Sequence, residues 1–283
     1  MRQGLQHIRG EVHVLRADFH IHSVFSDGSD TIDELIGMAK EKGLDAIAIT
    51  DHDTVAHLPE IPKDAGVKVL GGVEISAIHR KTGIKAHILG YCIRTPQVIA
   101  ALTEPLLHAR NANSERLAEI LAGNGYRIPF DKLARADGKH LYKQHIMEWL
   151  VSTGQAPDMF GDFYRRTFKG DGICAIDIEY IDVEDAVAAV KEAGGLAVLA
   201  HPGEQQNFFL IPRLAGSGLD GVELNHHSCC PKDREVILDH AKRHGLFLTG
   251  GSDHHGRYAQ HPHIIGDFLS EESGFLRLCA SAN

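Results

Sequence analysis

The chain has 283 residues, of which 43% are hydrophobic and 24% charged, and this globular composition excludes a largely disordered protein. No apolar run approaches the ~20 residues that a membrane helix needs, and residues 1–10 lack the apolar stretch of a secretory signal, so we expect a cytoplasmic protein without membrane contacts. The formal net charge of −9 disfavours binding of long nucleic acid through a broad basic face, but it does not exclude a small anionic substrate next to bound metal ions.

The first third of the chain alternates between strand and helix patterns. Apolar runs predict strands at residues 12–21, 45–50, 67–76 and 85–91, and a polar turn at 80–83 joins the last two. Residues 32–42 have helical spacing, with acidic residues in the first turn and Gly43 just past the end.

The middle of the chain is helical throughout, from about residue 96 to 168. Helices are predicted at 97–110, 114–122, 140–152 and 159–168. We therefore predict a helical insertion at residues 96–171 that covers the active site. The flanking segments, 1–95 and 172–283, would together form one barrel.

The last hundred residues return to the alternation. Helices are predicted at 183–193, 209–215 and 233–244, and strands at 196–200, 221–224 and 246–249. Repeated β-α units of this kind imply a parallel sheet or barrel, which places the chain in the α/β class.

The chain has 20 histidines, and they are concentrated with carboxylates where predicted strands end. In β-α architectures the active site forms at the carboxyl ends of the strands. His20 and His22 are two apart on one strand, so both point to the same side. The other residues of this pattern are Asp27, Asp51, His52, Asp53, Glu74, His87, His201, Asp253, His254 and His255.

This set of side chains predicts a site for several metal ions. Imidazoles mixed with carboxylates suit Zn²⁺, Mn²⁺ or Fe, and the set is too rich in nitrogen for Ca²⁺. A site with several ions needs a bridging carboxylate, and Glu74 is the best candidate. The five cysteines contain no CxxC pair, which argues against a thiolate zinc site and against a disulfide framework.

The motifs that carry these residues resemble the PHP (polymerase and histidinol phosphatase) superfamily. They are DFHIHSVFSDGS, AIAITDHDT, GGVEIS, KAHILGY, AVLAHPG and GGSDHHG, which span residues 18 to about 256. The resemblance implies a distorted (β/α)7 barrel (PHP fold) with a helical insertion domain and a trinuclear metal site.

The resemblance also implies which residues hold each ion. One metal would be bound by His20, His22, Glu74 and Asp253, a second by Glu74, His87 and His201, and a third by Asp27, His52 and His255. His254 takes the variable place of the family's D-x-H motif. It is expected either beside the ligands and the substrate or in a solvent-facing loop.

Within the family, the long insertion is similar to that of the stand-alone phosphoesterases, which act on nucleoside 3′,5′-bisphosphates or trim short RNA. Their R-x-H motif is matched by Lys143, Gln144 and His145. Two departures put a bisphosphate substrate in doubt. Glu204 follows HPG where those relatives have a basic residue, and Glu148 stands where they often have an arginine.

The function predicted from these observations is metal-dependent hydrolysis of a phosphate ester in a nucleotide or short oligonucleotide. Two or three divalent ions (Mn, Fe or Zn) would hold a bridging hydroxide that attacks phosphorus. His52, Glu74, Asp253 and His255 would form the catalytic centre. The candidate substrate-binding residues are Lys143, His145, Arg165, Arg166, His226, His254, Arg257 and His263. A solvated surface role is the alternative for the four cations among them, Lys143, Arg165, Arg166 and Arg257. His145, His226, His227 and His263 are candidate general acids or phosphate donors.

Two other functions remain open at this point. Hydroxide activated by a metal also attacks carbonyls, so an amidohydrolase-like C–N hydrolase is one alternative. A non-catalytic metal-binding module is the other. No nucleotide-binding glycine motif and no G-x-S-x-G elbow is present, which disfavours a dehydrogenase, a kinase or a serine hydrolase. The oligomeric state is left open.

Overall fold

A computed structural model describes residues 14–133, 139–261 and 263–281 of the chain. Residues 1–10, examined for a secretory signal, and the first two positions of the strand predicted at 12–21 lie outside these ranges. The strands are β1 (Ala17–Ile21), β2 (Ala46–Ile49), β3 (Lys68–His79), β4 (Ile84–Tyr91), β5 (Ile181–Asp182), β6 (Leu196–Leu199), β7 (Gly221–Asn225) and β8 (Phe247–Gly250). The helices are α1 (Ile32–Glu41), α2 (Pro96–Gly123), α3 (Phe130–Leu133), α4 (Lys143–Ser152), α5 (Asp162–Phe168), α6 (Val183–Glu192), α7 (Pro202–Gln205), α8 (Leu210–Ala215), α9 (Pro231–His244) and α10 (Glu272–Ser281).

Helix α1 shows how local sequence sets an element. Thr31 caps its N-terminus and forms a reciprocal capping box with Glu34, which satisfies backbone donors that the first turn leaves unpaired. The buried residues Ile32, Leu35, Ile36 and Ala39 follow the helical repeat and face the sheet. Gly43 follows the helix end with a positive φ of 62°. The helix predicted at 32–42 is therefore confirmed within one residue.

The strands form a barrel-like sheet in the order β1-β2-β3-β4-β6-β7-β8, with β5 paired to β3. The loop after β8 approaches β1, because the Asp253 N–H donates to His20 O and the His22 N–H donates to His254 O, each at 2.9 Å. These bonds nearly close the sheet on itself. The predicted barrel is confirmed as a nearly closed, barrel-like sheet.

Strand β4 departs from the expected parallel arrangement. It runs antiparallel to both β3 and β6, whereas the other neighbours along the barrel are parallel. The reason is the short turn at residues 80–83, since a connection of this length makes a hairpin and cannot return a strand in parallel. The long β3 continues to His79, so Glu74 lies within the strand and not at its end.

The helical segment differs from the prediction in its boundaries. Residues 97–110 and 114–122 belong to a single helix, α2, so the predicted break at 111–113 was wrong. Buried side chains continue at helical spacing across the asparagines, through Leu107, Ser114 and Leu117. Helices α4 and α5 begin three residues later than predicted.

The helices α2–α5 share an apolar cluster of their own. Leu117, Leu121, Ile146, Leu150 and Phe168 are among its buried members. A second cluster, formed by strands of the barrel with α6 and α8, also includes Ile99 of α2 and Ile237 of α9. The division into a barrel and an insertion domain stays a prediction. Within the described ranges, no helix has the length and apolar composition needed to cross a membrane.

Candidate active site

Glu74 is fully buried in β3, and histidines surround its carboxylate. Oε2 lies 3.1 Å from Nδ1 of His52 and 3.2 Å from Nε2 of both His20 and His22. Oε1 lies 2.8 Å from Nδ1 of His87 and 2.9 Å from Nε2 of His201. Both oxygens thus face imidazoles from opposite sides of the barrel mouth, as a bridging carboxylate requires.

Two aspartates complete the ring of predicted metal ligands at the mouth of the barrel, which we call the rim. Oδ1 of Asp253, in the loop after β8, is 3.1 Å from Nε2 of His22 and 3.4 Å from Nε2 of His20. Oδ1 of Asp27, in the turn after β1, is 3.4 Å from Nε2 of His255. The loops after β1 and β8 therefore meet over the same opening as β3.

The nine predicted ligands fall into overlapping groups whose ligand atoms lie within 4.8 Å of one another: His20, His22, Glu74 and Asp253; His22, Asp27, His52 and His255; His52, Glu74 and His87; and His201, Glu204 and Asp253. The first group is the set predicted for one metal. The second contains the set predicted for another metal and adds His22. For the remaining predicted metal the grouping differs, because His87 lies with His52 while His201 lies with Glu204.

Many buried polar atoms of these side chains have no hydrogen-bond partner among the described residues: His20 Nε2, His22 Nδ1 and Nε2, Asp27 Oδ1, His52 Nδ1, Glu74 Oε2, His201 Nδ1 and Asp253 Oδ1. Buried polar groups in native proteins are nearly always satisfied, and a cluster of unsatisfied ones points to an ion or ordered water. Nitrogen and carboxylate oxygen donors fit divalent transition metals. The residues present therefore fit the metal ions that the sequence predicts.

The electrostatics of the site keep its carboxylates ionised. Burial alone would raise the pKa of Glu74, but His52, His20 and His87 hold that pKa well below its ordinary value. Burial lowers the pKa of His52 to about 4, so its imidazole is neutral at pH 7 and can bind a metal. In contrast, Asp27 and Asp253 raise the pKa of His255 to about 10 against the effect of burial. Metal binding there would release a proton.

Two joined cavities open above these residues. The smaller, of about 200 Å³, is lined by predicted ligands together with His227, His261 and His263. The larger, of about 600 Å³, extends under the helical segment and is lined by the cations Lys85, Arg110, Lys143 and Lys169. Both are lined by Asp27, His52, His87, Gln144, Tyr164 and Glu204.

The family model of the PHP domain matches residues 18–196, well over half of the chain. The chain belongs to the PHP domain family. The resemblance predicted from the motifs is therefore confirmed, and the match runs from the second residue of β1 through β5 and includes the whole helical segment.

Two curated proteins show how this PHP chain relates to known enzymes. It is 41% identical to phosphoribosyl 1,2-cyclic phosphate 1,2-diphosphodiesterase of Eggerthella lenta over 87% of this chain and 97% of that one. It is 31% identical to a 3′,5′-nucleoside bisphosphate phosphatase of Chromobacterium violaceum over 84% of this chain and 86% of that one.

A solved structure supports the same conclusion. A Bifidobacterium adolescentis protein assigned as a metal-dependent phosphoesterase superposes with a TM-score of 0.85 at 29% identity, over 96% of this chain and 98% of that one. This PHP protein is a metal-dependent phosphoesterase. The predicted enzyme class, a metal-dependent phosphoesterase, is therefore confirmed, and it is supported over the two alternatives, a C–N hydrolase and a non-catalytic metal-binding module.

Glu223 is a residue of this PHP site that the sequence analysis missed. It lies buried on β7, where its Oε1 is 3.0 Å from Nδ1 of His20, and its Oε2 accepts the backbone N–H of His201 at 2.8 Å. A glutamate within the apolar strand GVELN was the available signal, because a charged residue is rarely fully buried without a partner. Glu223 orients His20 with Nε2 towards Glu74.

The helical segment also contacts the metal rim. Gln144, the middle residue of the motif at 143–145, donates from Nε2 to Oδ2 of Asp27 at 2.7 Å. The hydroxyl of Tyr142 donates to the carbonyl oxygen of His52 at 3.1 Å. These two bonds connect α4 and the residue before it to two predicted metal ligands, so the segment helps to position the PHP site.

Backbone strain coincides with this site. Among the described residues, five that are not glycine have a positive φ, and three of them, Asp53, His201 and Asp253, belong to the rim loops. Such conformations cost ~1–3 kcal/mol each and cluster at functional sites. Gly251 is required by close approach, because a Cβ there would lie 2.3 Å from Cβ of His20.

Two of the eight predicted substrate-binding residues line the cavities. Lys143 lines the larger and His263 the smaller. His226 and His254 are buried beside the rim, where Nε2 of His226 is 3.6 Å from Oδ2 of Asp253 and Nε2 of His254 is 2.8 Å from Oδ2 of Asp30. The solvent-facing alternative for His254 is therefore excluded.

The other four predicted residues, Arg165, Arg166, Arg257 and His145, line neither cavity. Arg165 is exposed on α5 and pairs with Asp162. Arg257 pairs with Glu148 at 2.8 Å. Nδ1 of His145 accepts the N–H of Tyr142 at 3.0 Å. The role of each in substrate binding stays a prediction.

We expect Glu223→Gln to weaken metal binding about 10- to 100-fold, the usual cost of losing a carboxylate that orients a metal-binding histidine. The amide leaves His20 in place but removes the negative charge behind its ring. Titration of the apo protein with Mn²⁺, followed by electron paramagnetic resonance, measures the effect. Unchanged affinity would show that Glu223 does not orient a ligand.

Proposed function

We propose that this PHP phosphoesterase cleaves a phosphoester bond in a small phosphorylated ribose compound, and that a cyclic ribose phosphate is its substrate. The nine residues of the rim, from His20 to His255, would hold two or three Mn, Fe or Zn ions. The shape of the cleft supports this proposal, because it joins a metal rim to a second cavity lined by cations. One phosphate would be cleaved at the rim while another is held in the larger cavity.

The larger cavity suits the held phosphate in size and charge. About 600 Å³ lies within the range of small-ligand pockets. Lys85 and Arg110 are already paired, with Asp177 at 2.7 Å and Asp53 at 2.6 Å. For Lys143, no carboxylate oxygen of the described residues lies within ion-pair distance, and its Nζ donates only a long bond, 3.4 Å, to Ile176 O. Among the described residues Lys169 also has no carboxylate partner, but its Nζ lies 5.7 Å from the centroid of the Tyr164 ring and its side chain is exposed. Lys143 is therefore the more buried of the two cations that remain for a ligand.

The Eggerthella lenta relative supports a cyclic phosphate. Its name specifies a phosphorylated ribose with a 1,2-cyclic phosphate, and the alignment covers nearly all of that enzyme. A compact sugar phosphate of this kind would fit the two cavities without a base. Glu148, which put a second phosphate in doubt, supports the proposal too, because its charge is neutralised by Arg257 and it lines neither cavity.

The residues of this chain would act by holding the metal ions and by orienting the substrate. Divalent ions at the rim supply an activated water and Lewis acidity to the phosphoryl oxygens. Glu74 and Asp253 provide the buried negative charge that keeps such ions in place, and Gln144 fixes the orientation of Asp27. Lys143 would neutralise the phosphate that is not cleaved.

A nucleoside 3′,5′-bisphosphate or a short oligonucleotide is the second candidate substrate. The aromatic rings of Tyr164, Phe168 and Tyr180 line the larger cavity, where a base could stack. The Chromobacterium violaceum relative is named for such a bisphosphate. Glu204, half-exposed at the junction of the cavities, would face the second phosphate of either candidate, so it does not discriminate between them.

A panel assay tests the proposal. The full chain, loaded in turn with Mn²⁺, Fe²⁺ and Zn²⁺, is incubated with a ribose 1,2-cyclic phosphate bearing a 5-phosphate, a nucleoside 3′,5′-bisphosphate and a short 5′-phosphorylated RNA. We expect the highest kcat/KM on the cyclic phosphate, with full loss of turnover after chelation. Higher kcat/KM on the bisphosphate or the RNA would overturn the substrate in favour of the second candidate.

We expect Lys143→Met to raise the KM for the doubly phosphorylated substrate about 10- to 100-fold, the range expected for a lost hydrogen bond to a charged group. The kcat should change little, since the lost contact lies away from the reacting phosphate. Lys232→Met, on the exposed face of α9, is the matched control. A KM equal to that of the control would remove Lys143 from the substrate site.

A further inference from the structure

Glu204 lies at a position where a carboxylate is unexpected for phosphate recognition. It follows the HPG segment on α7 and lines both cavities, and its side chain is half-exposed. A carboxylate at this position needs a positive partner before a phosphate can approach.

Two histidines after β7 face this carboxylate. Glu204, His226 and His227 each offer one ligand atom, and the three atoms lie within 4.8 Å of one another. His226 is only 2% exposed. Nε2 of His226 and Nδ1 of His227 are buried without a hydrogen-bond partner among the described residues. Two buried nitrogens without partners, next to a carboxylate, point to a ligand that is a cation.

Nδ1 of His226 contacts Ser228, and Nε2 is the ring nitrogen left for another partner. Nδ1 accepts the Ser228 backbone N–H at 3.3 Å and lies 2.8 Å from the Ser228 Oγ. Nε2 lies 3.6 Å from Oδ2 of Asp253. A metal ion at Nε2 would require the tautomer with its proton on Nδ1, which the Ser228 hydroxyl can accept.

We propose that Glu204, His226 and His227 bind a divalent transition-metal ion in addition to those of the nine rim residues. Glu204 borders the rim, since its ligand atom also lies within 4.8 Å of those of His201 and Asp253. Two imidazoles and one glutamate form a ligand set known for zinc, and three protein ligands leave a coordination position open. The site borders the smaller cavity through Glu204 and His227. The ion would neutralise Glu204 and contact a substrate phosphate, a role that depends on the proposed function.

The metal content of the folded chain tests the site without any assay of activity. Wild type, Glu204→Gln and His227→Ala are dialysed to equilibrium against the same buffered Zn²⁺ and analysed by mass spectrometry. We expect each variant to hold about one ion fewer per chain than wild type, because each loses one of three ligands. His227 belongs to this group alone, whereas Glu204 also lies with His201 and Asp253, so the zinc content of the His227 variant decides the site. His227→Gln serves if His227→Ala does not fold.

His261→Ala is the matched control. His261 lines the same cavity, with its ring 4.5 Å from that of His227, but it is not in the ligand group. We expect this variant to keep the zinc content of wild type. Equal zinc in wild type, Glu204→Gln and His227→Ala would overturn the site, and so would an equal loss in the control.

The contact between the proposed ion and a substrate phosphate is tested separately, by the KM. With the other ions in place, loss of this ion should raise KM about 10- to 100-fold, as for one lost charged contact, with a smaller change in kcat. An ion lost without a change in KM would overturn the contact with phosphate. Absence of turnover in wild type would instead contradict the proposed function, while the zinc content still decides the site.

Discussion

Glu74→Gln should lower kcat/KM by about 10³-fold or more, because the metal-activated nucleophile and its electrostatic support depend on this carboxylate. Glu74 is fully buried, and its two oxygens contact five imidazole nitrogens at 2.8–3.2 Å. Glutamine has the same shape, but it is neutral and turns one acceptor into a donor. A bridging role is therefore lost without a change in volume.

The loss should be seen in metal content as well as in rate. We expect Glu74→Gln to retain fewer ions per chain than wild type, measured by mass spectrometry on the protein used for kinetics. Glu192→Gln, an exposed carboxylate on α6, is the matched control and should match wild type in both measurements. Wild-type metal content together with kcat/KM within tenfold would contradict the central role of Glu74.

Asp51→Ala should lower the free energy of unfolding by about 3–5 kcal/mol, the cost of breaking a buried charged network. Asp51 has no solvent exposure. Its carboxylate accepts from the Ser23 N–H at 2.8 Å and from the hydroxyls of Ser23 and Ser26 at 2.7 and 2.6 Å, and it lies 3.0 Å from Nδ1 of His57. Alanine would leave these groups buried without their acceptor. Urea denaturation measures the loss.

The effect of Asp51 should depend on pH. Burial would raise its pKa, but hydrogen bonds and charge from His57, with the hydroxyls of Ser26 and Ser23, lower it to about 2 from the usual 3.8. A lowered pKa stabilises the folded state above pH ~4, and about 2 kcal/mol of this is lost as pH falls towards 2. The gap between wild type and Asp51→Ala should narrow over that range.

Asp64→Ala, which removes an exposed carboxylate, is the control for this stability measurement. It should unfold within ~0.5 kcal/mol of wild type, as surface substitutions usually do. If Asp51→Ala destabilised the protein by no more than this control, the contacts of Asp51 with Ser23, Ser26 and His57 would not stabilise the fold.

The sequence predicted most of the barrel and the positions of the rim residues for a physical reason. The strand repeat places His20 and His22 on one face, and parallel strands bring their carboxyl ends together. Glu74 was expected at the end of its strand, but it lies within β3, which runs on to His79, and imidazole nitrogens surround its carboxylate. The repeated β-α units predicted parallel strands throughout. They did not predict the antiparallel direction of β4, which results from the short turn at 80–83.

What could not be predicted depends on contacts between distant parts of the chain. Glu223 lies on an apolar strand, and its partner His20 is 203 residues away. Glu148 and Arg257 were considered separately, one as a repelling charge and one as a phosphate contact, but they pair with each other. Helical periodicity also cannot tell which face of α5 points to the cleft, so Arg165 and Arg166 could not be placed.

The most direct test of the proposed metal centre is a crystal of the full chain soaked in Mn²⁺, with data collected at the manganese absorption edge. We predict two or three anomalous peaks in contact with Glu74 and the surrounding rim residues His20, His22, Asp27, His52, His87, His201, Asp253 and His255. A crystal with Glu74 in the position described, but with no anomalous density beside either of its oxygens, would contradict the metal centre on which the proposed function depends.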